Sequence, residues 1–306
     1  MLPTKEEPMI YEMTKPADIQ EVLKRIDPLI LLKKIAEFRK LNVAQMTDEE
    51  ISSAIYDVLC WEGVFACYTN TRIYPAGTKF FKVKKLIGSQ IPNERFGEYP
   101  DYWETNPKYL KSYGRLNKPG ESLLYVSPDL NCSVDEVRIT ESDFFAAIQY
   151  TAKRDIKVNL IGGEFDYDQM EIYDEKVKLI HEMYNGFLRD EFSRDVGKGT
   201  EYLYRVSERI AKDFFDLPPR IMQDAWAYTS VQDKKKYNVC FRPEIAHELL
   251  ELNGAMICKR DATKQIRVFC IASGRDEEDK ILFYKMGSNM QKEVFPELLC
   301  DSEINE

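Results

Sequence analysis

The sequence predicts an α+β fold, on three observations. Helical and strand-like stretches are mixed, without the regular strand-helix alternation of a doubly wound parallel sheet. Neither a Gly-x-Gly-x-x-Gly nor a Gly-x-x-x-x-Gly-Lys motif occurs, which disfavours a Rossmann or P-loop core. The apolar period changes from helical to alternating after Gly77, so a helical N-terminal stretch precedes a strand-rich remainder.

With 306 residues, 44% of them hydrophobic, the chain is long enough for one substantial core or two modest ones. No run approaches the about 18 uncharged apolar residues that span a bilayer. The opening MLPTKEEPMIYEM is acidic and proline-containing instead of basic and then apolar, so a cytoplasmic location is expected. A net charge of -9 argues against nonspecific nucleic-acid binding, which needs a clustered basic surface, and leaves small anionic ligands open. The seven cysteines form no Cys-x-x-Cys pair and read as reduced core residues. With only His181 and His247, each in a helical pattern, neither a metal site nor a histidine-based triad is expected.

Residues 1–16 read as a loose arm with Pro3, Pro8 and Pro16. From Ala17 to about Lys40 the pattern is helical, broken at Pro28, with Ile30, Leu31, Ile35 and Phe38 as its apolar stripe. Thr47 to Glu50 forms a capping box ahead of Ile51, Ala54, Ile55, Val58 and Leu59 at helical spacing. Residues 1–76 are therefore expected to be a helical extension, and 77–306 the main domain.

Lys79-Phe-Phe-Lys-Val-Lys-Lys85 alternates as a strand with one basic face. That face is either an edge defended by lysine or a phosphate cradle. Residues 88–113 read as a long surface loop. Gly114 to Gly120 is a turn, Leu123 to Val126 a buried strand, and Ser133 with Glu136 has the spacing of a second capping box. Glu136 is thus either a cap or a carboxylate free for chemistry. Ile139 to Thr151 is expected to be helical and Asp155 to Leu160 a strand ended by Gly162-Gly163. Residues 171–192 read as a helix, and Thr200 as the cap of a helix ended by Pro218-Pro219. Ala225 to Ser230 and Tyr237 to Phe241 pair as a hairpin across Lys234 to Lys236. Pro243 starts a short helix to Leu252, and three strands follow at Ala255 to Cys258, Gln265 to Ala272 and Lys280 to Met286.

Several of these blocks together resemble the RES domain of bacterial toxin-antitoxin toxins. Phe80-Phe-Lys-Val-Lys84 is similar to its aromatic-Arg-x-Arg strand, with Lys82 where an arginine is usual. Gly114-Arg-Leu-Asn-Lys-Pro-Gly120, Leu124-Tyr-Val-Ser127 and Ser133 to Arg138 resemble its Gly-Arg, Leu-Tyr-x-Ser and Glu-bearing blocks. Tyr204 to Phe214, Tyr228-Thr-Ser230 and Asn238 to Phe241 resemble its closing helix and strands. The match spans roughly 78–243; Asp224-Ala-Trp stands where Asp-Gly-Ile is usual.

The resemblance implies an ADP-ribosyltransferase-like core of short mixed strands with surrounding helices. It also implies NAD as substrate, cleaved between nicotinamide and ribose, with water, phosphate or protein as acceptor. Glu136 would stabilise the cationic ribose, Arg115 and Lys82 would hold the pyrophosphate, Tyr125 would stack on nicotinamide, and Ser230 and Asn238 would contact ribose or phosphate. The implied partner is a helix-turn-helix antitoxin that masks the cleft. Dimerisation or docking of a regulator is a further expectation for the N-terminal helices. The competing expectation is a degenerate module that binds a nucleotide or protein without turnover, since Lys82 offers a point charge in place of a bidentate fork.

Overall fold

The structure, a computed structural model, describes residues 16–86, 98–217 and 222–298. Residues 1–15 of the expected arm, residues 88–97 of the expected long loop, and Pro218-Pro219 lie outside the described residues, while Pro16, expected in the arm, starts a helix. Three helices open the described chain: α1 (Pro16–Arg25), α2 (Pro28–Phe38) and α3 (Asp48–Leu59). The break at Pro28 is a helix start, with the Asp27 side chain accepting from the Leu29 amide. Thr47 and Glu50 form the expected capping box on α3. Ile30, expected on the apolar stripe, is exposed, whereas Leu31, Ile35 and Phe38 are buried.

A two-strand ribbon follows, β1 (Cys60–Trp61) with β2 (Val64–Phe65). Two five-stranded sheets make the body. The first has the order β12 (Ile281–Lys285), β11 (Ile266–Arg275), β10 (Leu250–Arg260), β6 (Phe144–Ala152), β4 (Lys79–Lys85). The second has the order β3 (Asn70–Tyr74), β7 (Ile156–Ile161), β8 (Ala225–Thr229), β9 (Tyr237–Phe241), β5 (Leu124–Val126). Among the described residues only β7 and β8 pair in parallel. The remaining helices are α4 (Leu130–Glu136), α5 (Glu175–Phe192), α6 (Tyr204–Phe214), α7 (Pro243–Leu249) and α8 (Asn289–Val294). This mixture is the α+β class expected.

The core is layered, and strand alternation decides which layer each side chain joins. Phe80, Ile148, Tyr150, Leu124, Val126, Ala227, Val239 and Phe241 fill the space between the two sheets. On the far face of the second sheet, Trp226, Tyr228 and Cys240 pack with Leu23, Leu31, Ile55, Tyr184, Phe187 and Ile210 from the helices. On the far face of the first sheet, Phe145, Ala147 and Ile271 pack with Val134 of α4 and Phe295 after α8. The N-terminal helices thus share a core with the second sheet, and β3, inside the stretch expected to be a helical extension, is one of that sheet's edges.

Three local expectations are corrected. Ile139 to Thr151 holds the strand β6, not a helix; both faces of β6 are buried, so its sequence lacks the alternation that marks a half-exposed strand. Thr200 makes no side-chain cap; it precedes a single 3-10 turn, and α6 begins at Tyr204. The Ser133–Glu136 capping box does not form, because α4 begins three residues earlier with Asp129 as its cap. The lysine strand β4 is an edge of its sheet, as one of its two readings has it. Among the described residues no helix is long and apolar enough to cross a membrane.

Candidate functional site

The site is assembled where the end of α4 meets the β8–β9 hairpin. Asp129 Oδ1 accepts from the Cys132 amide at 2.8 Å and starts α4. Ser133 Oγ, freed from capping, donates to the Phe81 carbonyl at 3.0 Å and docks the helix on β4. Phe81 and Ser127 exchange backbone hydrogen bonds of 2.8 and 2.9 Å, which joins β4 to β5 and the first sheet to the second. Glu136 is left as the last residue of α4, at the end where the helix dipole disfavours a carboxylate.

That carboxylate is met from the hairpin. Its Oε1 accepts from Ser230 Oγ at 2.5 Å, the Val231 amide at 3.0 Å and Asn238 Nδ2 at 3.0 Å. Ser230 is itself oriented: its oxygen accepts from the Gln232 and Asp233 amides at 3.1 and 3.3 Å, so its one proton points at Glu136. Three donors on one oxygen hold the carboxylate in place and leave Oε2 unengaged among the described residues. Ser230 and Asn238 are both buried.

Arg115 stands on the same, helix-covered face of the second sheet. Its guanidinium carbon lies 4.8 Å from the Tyr204 ring centre and 5.7 Å from that of Tyr228. Nη2 donates to the Arg194 carbonyl at 3.2 Å and reaches the Tyr204 hydroxyl at 3.5 Å, while Nη1 is buried without a partner. A buried guanidinium N–H with no acceptor is costly, and an anionic ligand would satisfy it. Burial, above all, raises the Tyr228 phenol well above its usual range; the charges of Arg115 and Glu136 both reach it, which puts the three groups in one locality.

Tyr125, expected to stack on nicotinamide, is instead packed against the helix-side core and supports this arrangement from behind. Its hydroxyl accepts from the Leu116 amide and donates to Asn117 Oδ1, each at 2.9 Å, so it ties down the turn that carries Arg115. Ser207 of α6 adds a 2.7 Å bond to the Arg115 carbonyl. At Gly114 a Cβ would meet Asn117 Oδ1 at 2.2 Å, which explains the glycine before Arg115.

Lys82 is not part of this group. It alternates with Phe81 and Val83 and shares the inter-sheet face of β4 with Phe80, whereas Tyr125 points to the opposite face of β5. Its Nζ donates to the Trp103 carbonyl, and it lines a cavity of about 800 Å³ with Trp103, Glu104 and His247. The expected joint grip of Lys82 and Arg115 on a pyrophosphate is therefore corrected, because Lys82 faces the other sheet whereas Arg115 lies against Tyr204 and Tyr228 on the helix-covered side.

Four of the expected residues, Arg115, Glu136, Ser230 and Asn238, thus meet in one locality, with Tyr125 behind them. The sequence reading missed Tyr204 and Tyr228 as the rings that flank Arg115. For Tyr228 a signal existed, since it lies two residues before Ser230 on a strand and shares its face. Nothing local marks Tyr204. Among the described residues no cluster of His, Cys, Asp and Glu is arranged to hold a metal. Compared with family models, curated proteins and solved structures, the chain matches none of them.

Proposed function

We propose that this chain cleaves the nicotinamide–ribose bond of NAD, in a core related to that of ADP-ribosyltransferases. The observation that carries this reading is the Glu136 carboxylate, clamped through Oε1 by Ser230, Val231 and Asn238, with Oε2 unengaged and Arg115 nearby. As the C–N bond breaks, its electron pair leaves with neutral nicotinamide and positive charge builds on the ribose. A fixed carboxylate stabilises that charge only as it forms, which lowers the barrier instead of merely tightening binding. Oε2 accepts a ribose hydroxyl, the Arg115 Nη1 donor takes a phosphate oxygen, and the Tyr204 ring, the less buried of the two that flank Arg115, offers a face to a planar base. Water, phosphate or a protein side chain then attacks the ribose carbon. In the cell such an activity consumes NAD and inhibits growth, and a helix-turn-helix antitoxin covering the cleft would restrain it.

A second reading, a module that binds a nucleotide or protein without turnover, is favoured by one observation: Lys82 faces away, so Arg115 is left as the pyrophosphate cation. Incubating the full chain with NAD and quantifying nicotinamide by chromatography separates the two. We expect release, reduced by about 10²- to 10³-fold in Glu136→Gln. No release above the Glu136→Gln level, from protein shown to be folded, overturns the enzyme reading; raised thermal stability with intact NAD then supports the binding module.

A further inference from the structure

The lysine strand carries a second, unassigned feature. The cavity of about 800 Å³ that Lys82 lines lies between β4, the residues around Trp103, and His247 at the end of α7. The Lys82 amine has one acceptor, the Trp103 carbonyl, and no carboxylate within ion-pair reach among the described residues. Its neighbour Lys84 is paired with Asp101 at 2.7 Å. His247 stacks on the Trp103 ring with centres 4.2 Å apart and places Nε2 3.0 Å from Glu104 Oε2. The Trp103 indole N–H is buried without a partner.

Two chemistries suit a lone, half-buried amine: holding an anion as an ammonium, or attacking a carbonyl as a free base. The wall decides between them. Lys82, Lys84 and Lys108 face Glu98, Asp101 and Glu104 there, so the lining has no excess positive charge to draw an anion. Desolvation beside another cation is the arrangement that makes a lysine nucleophilic. We propose that this cavity is a second chemical site, in which the Lys82 amine takes a small ring-bearing aldehyde or ketone as an imine.

In that reaction the nitrogen lone pair attacks the carbonyl carbon, the nitrogen gives up its two protons, the carbonyl oxygen leaves with two as water, and a C=N bond replaces the C=O bond. The His247–Glu104 pair on the same wall supplies the proton that the departing oxygen needs. Tyr99 and Trp103 flank the space for the ring. Burial first, and then the Lys84 ammonium, pull the Lys82 ammonium down to about 8, against the smaller opposing pull of Glu104 and Asp101. Near neutral pH its free-base fraction is then about a few hundred times that of an ordinary lysine.

The full chain is treated with pyridoxal as the carbonyl probe, reduced with borohydride at a series of pH values, and its lysines mapped by peptide mass spectrometry. We expect Lys82 to be modified about tenfold or more faster than Lys84 and Lys108 near neutral pH. Its labelling should reach half-maximum near a pH of about 8. Lys84→Met should move that midpoint upward, and His247→Phe, which keeps a ring over Trp103, should slow labelling without moving it. Lys82→Arg, a variant that retains the cation and its stem, should abolish that adduct alone. Labelling that follows exposure, with Lys82 no faster than Lys84 and Lys108, overturns the proposal, as does a Lys82 midpoint at the ordinary lysine value of about 10.4.

Discussion

Glu208 provides a sharp test of how α6 is held against the Arg115 turn. Its side chain is 1% exposed, its Oε2 is buried without a hydrogen-bond partner, and its nearest cations, Lys118 Nζ and Arg209 Nε, each stand 4.0 Å away. Burial lifts the carboxyl from 4.5 to about 7, opposed first by Lys118 and then by Lys212 and Arg209. A raised carboxyl binds its proton more tightly in the folded than in the unfolded chain. The associated stability is therefore complete below about pH 4.5 and is lost as pH rises through about 7. At about 1.4 kcal/mol per unit the interval sets a ceiling of about 3 kcal/mol, and about 2 kcal/mol of it falls between about pH 5 and about pH 8. Glu208→Gln keeps the shape and removes the titration. In urea denaturation, the wild-type chain should lose about 2 kcal/mol more than the variant on going from about pH 5 to about pH 8. An identical pH dependence in both chains refutes the assignment of a buried, under-partnered carboxylate here.

Other predictions address the supports of the site. Tyr125→Phe removes both hydrogen bonds to the turn; it should cost about 1–2 kcal/mol in urea denaturation and reduce nicotinamide release through a displaced Arg115. Asp129→Ala removes the cap of the helix that ends at Glu136, with an expected loss of about 1 kcal/mol, whereas Asp129→Asn should recover most of it. Gly162→Ala should destabilise by about 2 kcal/mol or more in the same measurement. The reason is that residue 162 has φ +66 and a Cβ there would lie 2.7 Å from the Arg189 amide nitrogen.

Much of the local structure was legible. The capping box at Thr47, the helix break at Pro28, the lysine strand, the hairpin of β8 and β9 and the last two strands appear where their patterns place them, whereas β10 begins at Leu250, inside the stretch expected to be helical to Leu252. Each of these signals lies within a few residues of the structure it specifies. Two of the errors share one cause, that tertiary burial overrides a local rule. β6 is covered on both faces and loses its alternation, and Ser133 is drawn to the Phe81 carbonyl while Asp129 takes the cap.

The candidate site divides in the same way. Arg115, Tyr125, Glu136, Ser230 and Asn238 could be singled out from residue type, turn chemistry and family-like spacing, and the sequence by itself also determined that Lys82 and Phe81 occupy opposite faces of one strand. Which face meets the helices and which meets the other sheet was decided only when the two sheets packed, because a strand's side chains alternate with a period of two and parity says nothing about what covers each side. The same packing turned Glu136 from a potential cap into a clamped carboxylate. Its three donors come from residues 230 to 238, about a hundred positions away, and only the tertiary fold brings them to it.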